Sequence, residues 1–385
     1  MSSDEKRLPF PFLTFLVLPD ILLALVLALG LSKRTRIILF AGFALLCYKG
    51  LQYTTGDKMQ DYSMGSTIGG QFFTALHLLL IVEPIRQYRH WTDIDDPLTR
   101  PLLKRVYWAG CIIHSPRGIG WNYHTPHVPD RPIMKRGAFI ISRVFRAVGS
   151  FLIIDAAQSF IHTNPLFSGS AAELENASIT SQGLLYRCLN IIAWMATPHA
   201  GVRMQYYLIS AISVALGLST PGDWPDPYGK WSDAYTVRNL WGRTWHQMMR
   251  RYLSSIGKVA AVQVAGFRKG TWLSSYTQLF VGFFVSGVMH SFGDAMVGRK
   301  HFGASFPFFI MQVTAIIAED IVINLAGRLG RRPSTKVSSI IGFAWVFTWS
   351  MISFPFYIDW AVKAGLGSCE LLPVSPIRNL LGPWK

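Results

Sequence analysis

Apolar residues in this chain gather into long runs separated by polar segments, many of them basic. The runs cover 10–31, 37–53, 67–84, 140–161, 183–197, 203–219, 272–293, 304–326 and 338–361. Each approaches or reaches the roughly 20 residues that a helix needs to cross the hydrocarbon of a bilayer. Two are weaker: 183–197 is short, and 37–53 carries Lys49. The pattern predicts an all-α, polytopic membrane protein with about eight transmembrane helices and additional interfacial helices. Pro19 and Asp20 interrupt the first run, which then continues past signal-peptide length, so it reads as a retained membrane helix. With no internal repeat and no separate soluble region, residues 1–385 are expected to form one integral-membrane domain.

The loops give an orientation. Lys33, Arg34 and Arg36 mark a cytosolic turn and place the N-terminus in the lumen. The long segment 85–139, rich in Arg, Pro and His, is then cytosolic. The loop 163–182 is lumenal, lacks basic residues and carries the glycosylation sequon Asn176, Ala177, Ser178. Beyond it the parity fails. If 183–197 and 203–219 both cross, the basic stretch 220–271 falls on the lumenal side. A break at Pro198, separating one crossing from an interfacial or re-entrant helix, restores a cytosolic loop and is the preferred reading.

Composition agrees with a membrane setting. Half of the residues are hydrophobic and only 15% are charged, where a soluble chain carries about a quarter. The net charge of +16 lies in the loops between runs, as the positive-inside rule and anionic head groups require. No nucleic-acid-binding motif accompanies it, so nucleic acid is not an expected partner. Cys47, Cys111, Cys188 and Cys369 lack metal-site spacing, and no metal or bound cofactor is expected.

Two histidines 44 residues apart carry the candidate chemistry. His290 lies near the end of the apolar run LFVGFFVSGVMHSFGD, where a polar residue is costly and usually functional. Gly282, Ser286 and Gly287 allow close helix approach. The four-residue spacing sets Ser286, His290 and Asp294 on one helical face, where a carboxylate can orient the imidazole. His246 follows a polar, aromatic stretch. Ser232 or Asp233 is placed to cap a helix starting near Ala234, with Arg238, Trp241, Trp245 and Met249 on one face and Arg243 and His246 on the next. A plain interfacial anchor explains that face equally well. A histidine wetted by head groups likewise remains an alternative for His290. Glu319 and Asp320, inside the run 304–326, are candidates for a substrate cavity or an internal ion pair.

The string YTVRNLWGRTWHQMMRRYL (235–253) resembles the signature stretch of the wax-synthase branch of the membrane-bound O-acyltransferases. FFVSGVMHS (283–291) is similar to that family's apolar segment ending in histidine. Arg117, Gly118, Ile119, Gly120 and Trp121 resemble an element common in fungal members. The likeness covers most of 80–360 and is best over 231–293. It implies that His290 is the membrane histidine acting as general base and His246 the second polar residue. Trp241, Arg243 and Trp245 match the flanking motif, and Thr244 stands where the family commonly has Arg. The resemblance further implies acetyl-CoA or another acyl-CoA as co-substrate and a hydrophobic terpenoid or meroterpenoid alcohol as acceptor, at the endoplasmic reticulum.

Direct transfer to a hydroxyl needs a base for the alcohol and a donor for the oxyanion. Asn239 or His246 is placed to donate, and Arg243 to hold phosphate. His290 and Asp294 also spell the His-x-x-x-Asp signature of soluble plant-type acyltransferases, but the apolar runs exclude that fold. Competing functions are a long-chain wax-ester synthase, a transporter, which would repeat polar groups in related halves, and a membrane terpene cyclase, which would use paired carboxylates.

Overall fold

The computed structural model describes residues 7–169, 174–330 and 334–381. Parts of the sequon loop (170–173) and of the basic segment before α10 (331–333) lie outside the described residues. Helices and turns make up the described chain, and β-pairing is limited to two isolated bridges, Pro9 with Thr54 and His90 with Trp121. The helices are α1 (Leu18–Leu29), α2 (Lys33–Gly50), α3 (Lys58–Leu76), α4 (Leu102–His114), α5 (Arg136–Thr163) and α6 (Gly183–Ala215). They continue with α7 (Arg250–Lys258), α8 (Trp272–Val297), α9 (Phe306–Arg328), α10 (Thr335–Ser353), α11 (Pro355–Lys363) and α12 (Pro376–Leu381). Side-chain caps set several starts: Ser32, Asp57, Thr271 and Ser334 each accept a backbone N–H from the first turn of α2, α3, α8 and α10.

Among the described residues, five stretches are long and apolar enough to cross a membrane: Lys58–Ile81, Arg136–Thr163, Trp272–Val297, Arg299–Arg328 and Thr335–Lys363. The apolar runs alone predict more crossings than these five. Of the rest, Leu13–Leu29 is shorter, α2 opens with Lys33, Arg34 and Arg36, and α6 carries Arg187 and Arg203. Large apolar side chains such as Leu13, Ile38, Phe145, Ile209 and Ile340 stand exposed on the helices, as lipid-facing positions must.

Pro198 does not break the chain. Runs 183–197 and 203–219 form one 33-residue helix, α6, about 50 Å long at the α-helical rise. A proline inside a helix leaves the carbonyl four residues back without its N–H donor. Here that carbonyl belongs to Trp194, and the Thr197 hydroxyl donates to it at 2.8 Å. The neighbouring side chain thus supplies the bond that Pro198 cannot.

The chain divides into two compact units, Met1–Pro126 with Gln247–Val322, and His127–His246 with Ile323–Lys385. In the first, Leu23, Leu27, Ile68, Leu78, Trp108, Ile112 and Trp121 form a core that joins α1 and α3 to α4. The segment after residue 85, expected to be only a polar loop, supplies α4 and both tryptophans to that core. Asp93 there is half-buried, accepting from the His90 N–H (2.8 Å) and the Trp108 indole (3.0 Å) and pairing with Arg100 (2.9 Å). In the second unit α5 and α6 lie against each other along their lengths. The C-terminal segment is fastened to α5 where Asp155 accepts the Ile377 N–H at 2.9 Å.

Candidate active site

His290 sits on α8 in the first unit, and glycines decide what surrounds it. On α3, Gly65 and Gly69 form a small-x-x-x-small pair, and Gly293 answers them from α8. A Cβ on Gly69 would lie 2.7 Å from the Met289 carbonyl oxygen, and one on Gly293 would lie 2.6 Å from the Tyr62 carbonyl oxygen. The two helices therefore touch backbone to backbone, a packing that bulkier residues forbid. That closeness brings the Tyr62 hydroxyl to 3.0 Å from His290 Nδ1. From the other side, Phe309 of α9 stacks on the imidazole, with centroids 4.5 Å apart and planes within 13°. Gly287 makes room for α9, since a Cβ there would stand 2.7 Å from the Phe306 ring and 3.4 Å from Phe309 Cβ. Gly282, the other glycine marked for close approach, has nothing within 4 Å.

Tyr62 therefore takes the position on Nδ1 where the spacing placed Asp294. Asp294 is fully buried, and its Oδ2 accepts the Ser305 N–H at 2.9 Å and the Ser305 hydroxyl at 2.8 Å. It ties the end of α8 to the start of α9. Ser286 is buried on the same helix. Glu319 is buried on α9, and its neighbour Asp320 accepts from the Tyr276 hydroxyl of α8 at 2.9 Å. Tyr62 was missed in the sequence, although the Gly65–Gly69 spacing on a serine- and glycine-rich helix signals a close partner.

The second histidine belongs to the second unit, and its stretch is not the amphipathic helix expected over 234–249. Thr236 caps a single turn, Val237–Asn239, with Asn239 N–H donating to its hydroxyl at 3.0 Å. A wide turn, Leu240–Thr244, follows, and Trp245 is already extended. The reason lies at Thr244. Its carbonyl accepts the Gly229 N–H at 2.9 Å, and its buried hydroxyl donates to Lys230 O at 3.1 Å, so the backbone is turned away from the helical ladder. Gly229 allows this, because a Cβ there would strike the Arg243 carbonyl.

Trp241 and Trp245 still meet, edge to face at 5.7 Å. His246 lies 5.7 Å from both Trp245 and Tyr228. Arg243 points outward and is exposed, and Asn239 is half-buried. Behind this group stands His199 of α6, which no sequence argument singled out. Its ring centroid lies 4.2 Å from that of Tyr228 and 5.5 Å from that of Trp231.

Two further sequence features have structural roles. Gly118 and Gly120 occupy left-handed backbone at φ 64° and 81°, a region that favours glycine. They fold a tight turn that buries Trp121 against Trp108 at 5.4 Å and His90 at 5.1 Å. Asn176 is exposed in a turn, and the Ser178 hydroxyl of its sequon donates to Asp359 at 2.7 Å.

Residues 224–311, which span the His246 stretch and the His290 helix, match the Membrane bound O-acyl transferase family. Residues 135–215, covering α5 and α6, match the Aspirochlorine biosynthesis protein F C-terminal domain. The chain is 32% identical over 376 residues to acetyltransferase ple2 of Rhodocybe pseudopiperita, covering 96% of each protein. It is 30% identical over 368 residues to acetyltransferase eriL of Hericium erinaceus, covering 93% of each. With acetyltransferase spyB of Aspergillus fumigatus it shares 28% identity over 80% of this chain and 56% of that protein.

Proposed function

The chain belongs to the membrane-bound O-acyltransferase family, and on that premise we propose that it carries acetyl from acetyl-CoA to a hydroxyl of a hydrophobic terpenoid or meroterpenoid alcohol, with His290 as general base. The observation that carries the reading is the imidazole held between the Tyr62 hydroxyl and the Phe309 ring, within the stretch that matches the family. The names of the relatives favour acetyl as the acyl group.

A neutral imidazole accepts a proton on one nitrogen while the other carries hydrogen. With Nδ1–H donating to the Tyr62 oxygen, Nε2 is the basic atom. It takes the alcohol proton as the oxygen attacks the thioester carbonyl carbon. The tetrahedral oxyanion collapses, the C–S bond breaks, and the CoA thiolate receives the proton from the imidazolium. An acetate ester and free CoA result, with no change of oxidation state and no acyl-enzyme. His246, with Asn239 on the preceding turn, is assigned to the oxyanion or the thioester carbonyl. Trp241 and Trp245 pack beside His246, Asp294 braces the end of α8, and Glu319 offers a polar contact for the acceptor.

In the endoplasmic reticulum membrane, one crossing by α6 rather than two keeps the basic stretch 220–271 on the cytosolic side, where CoA is found and where the positive-inside rule places it. Asn176 is then lumenal and open to glycosylation. The test is microsomal: membranes carrying the wild-type protein, supplied with labelled acetyl-CoA and a panel of terpenoid alcohols, form a labelled ester that control membranes do not. Label transfer only from long-chain acyl-CoA to fatty alcohols would replace this reading with wax-ester synthesis. No transfer from any acyl-CoA would reject it.

A further inference from the structure

The second unit holds buried polar atoms without partners. On one face of α6, His199, Arg203 and Tyr207 follow at four-residue steps. Tyr207 is buried, and three guanidinium groups surround its ring: Arg143 at 5.0 Å, Arg203 at 5.5 Å and Arg146 at 5.8 Å. One carboxylate serves two of the three cations. Asp226 pairs with Arg143 at 2.5 Å and with Arg146 at 2.8 Å. Both partners hold it below the usual carboxylate range against the opposing pull of burial, so it stays ionised. Arg203 donates to the Tyr207 hydroxyl at 3.2 Å and pairs with no carboxylate among the described residues.

Beside Arg203, within its electrostatic reach, lie two unused polar atoms. The Tyr228 hydroxyl is buried without a hydrogen-bond partner, on a residue only 7% exposed. His199 Nε2 is buried without a partner as well, and the two rings touch at 4.2 Å between centroids. A buried polar atom without a partner is costly, and surplus positive charge held away from water is costlier still. Two buried polar atoms without partners, beside a guanidinium that pairs with no carboxylate among the described residues, describe an anion site.

We propose that Arg203, Tyr228 and His199 form a phosphate-binding site, with Arg143 and Arg146 supplying the field behind it. A phosphate has acceptor oxygens for the Tyr228 hydroxyl and for His199 Nε2 in its protonated tautomer, and guanidinium is suited to it. Two sources carry that chemistry, the phosphates of the acyl-CoA donor and the head group of an anionic lipid. The first deepens the transferase reading and rests on it. The site also differs from the phosphate role expected of Arg243, which is exposed.

The experiment uses full-length protein in nanodiscs and reads binding without turnover. In phosphatidylcholine discs, Arg203→Gln should weaken CoA binding about ten- to hundredfold, the range for a lost charge-assisted hydrogen bond. Tyr228→Phe should weaken it severalfold, and Arg203→Lys should fall between wild type and Arg203→Gln. Pantetheine, which carries no phosphate, should bind all four proteins alike. In discs containing phosphatidylinositol, a thermal stabilisation of the wild type that Arg203→Gln loses, with CoA binding unchanged, would assign the site to lipid phosphate. If neither CoA nor phosphatidylinositol distinguishes the variants, or if pantetheine binding falls as far as CoA binding, the proposal is overturned. Should Arg203→Gln not fold, Tyr228→Phe, which removes one hydroxyl, decides alone. A wild type that binds CoA through Arg203 yet transfers no acyl group would reject the transferase reading and leave the phosphate site standing.

Discussion

Replacing Tyr62 with Phe removes one hydroxyl from the surroundings of His290 and leaves the packing intact. The ring of Tyr62 lies parallel to the imidazole within 19° at 6.1 Å between centroids, and Phe can keep that position. The glycine contacts between α3 and α8 do not involve the hydroxyl. What disappears is the 3.0 Å bond at Nδ1. In the ground state it joins neutral groups and is worth about 0.5–1.5 kcal/mol. In the transition state the imidazole gains charge, and the same bond is worth about 1.5–3 kcal/mol. Only the difference lowers the barrier. A loss of about 1–2 kcal/mol corresponds to a roughly 5- to 30-fold fall in kcat, with KM for acetyl-CoA little changed. The assay is the initial rate of acetyl transfer to any alcohol that the wild type accepts, beside the thermal midpoint in detergent. Full kcat in the variant would refute the positioning role. A fall in kcat accompanied by an equal loss of thermal stability would make Tyr62 merely structural.

Helix contact can be tested by paired glycines. Gly69→Ala sets a methyl against the Met289 carbonyl and should destabilise by about 1–3 kcal/mol, as overpacking does, whereas Gly282→Ala, in open space, should leave the thermal midpoint unchanged or slightly raised. His246→Ala should lower kcat about 100- to 1000-fold if the residue donates to the oxyanion, and His246→Asn, which keeps a donor, should recover part of it; equal rates for wild type and His246→Ala would remove it from the reaction. Asp93 gives a pH test. Burial alone would raise its carboxyl, but the His90 N–H, the Trp108 indole and Arg100 together hold it below the usual range. Its folded value is below its unfolded one, so its contribution to stability is complete above about pH 4 and is lost as pH falls through the folded value. Asp93→Asn should lower the thermal midpoint at neutral pH and flatten its decline under acid; an unchanged acid limb would show that other carboxylates dominate.

Two of the apolar runs placed their helices closely: 140–161 lies within Arg136–Thr163, and 272–293 within Trp272–Val297. They did so because lipid makes a strict demand on composition. What the runs concealed depends on neighbours. Pro198 looks like a break until Thr197 is seen to supply the missing bond. The stretch 234–249 has helical spacing, but the backbone bond between Gly229 and Thr244 redirects it. Asp93 falls in the polar segment 85–139, and only the folded loop shows the Trp108 indole donating to its carboxylate. At the site, both histidines were visible as polar residues in unlike settings. Their companions Tyr62 and His199 were not, since each is brought in by a helix distant in sequence. A small-residue spacing at Gly65 and Gly69 was the only local sign of the first, and nothing local announced the second.

The central claim is that the His290 imidazole removes the proton from the acceptor alcohol. Its most direct test is the rate of acetyl transfer by His290→Ala in membranes that contain the variant at wild-type abundance. Loss of a general base predicts a fall of about 100- to 10,000-fold, with CoA binding retained. Transfer at the wild-type rate would contradict the account.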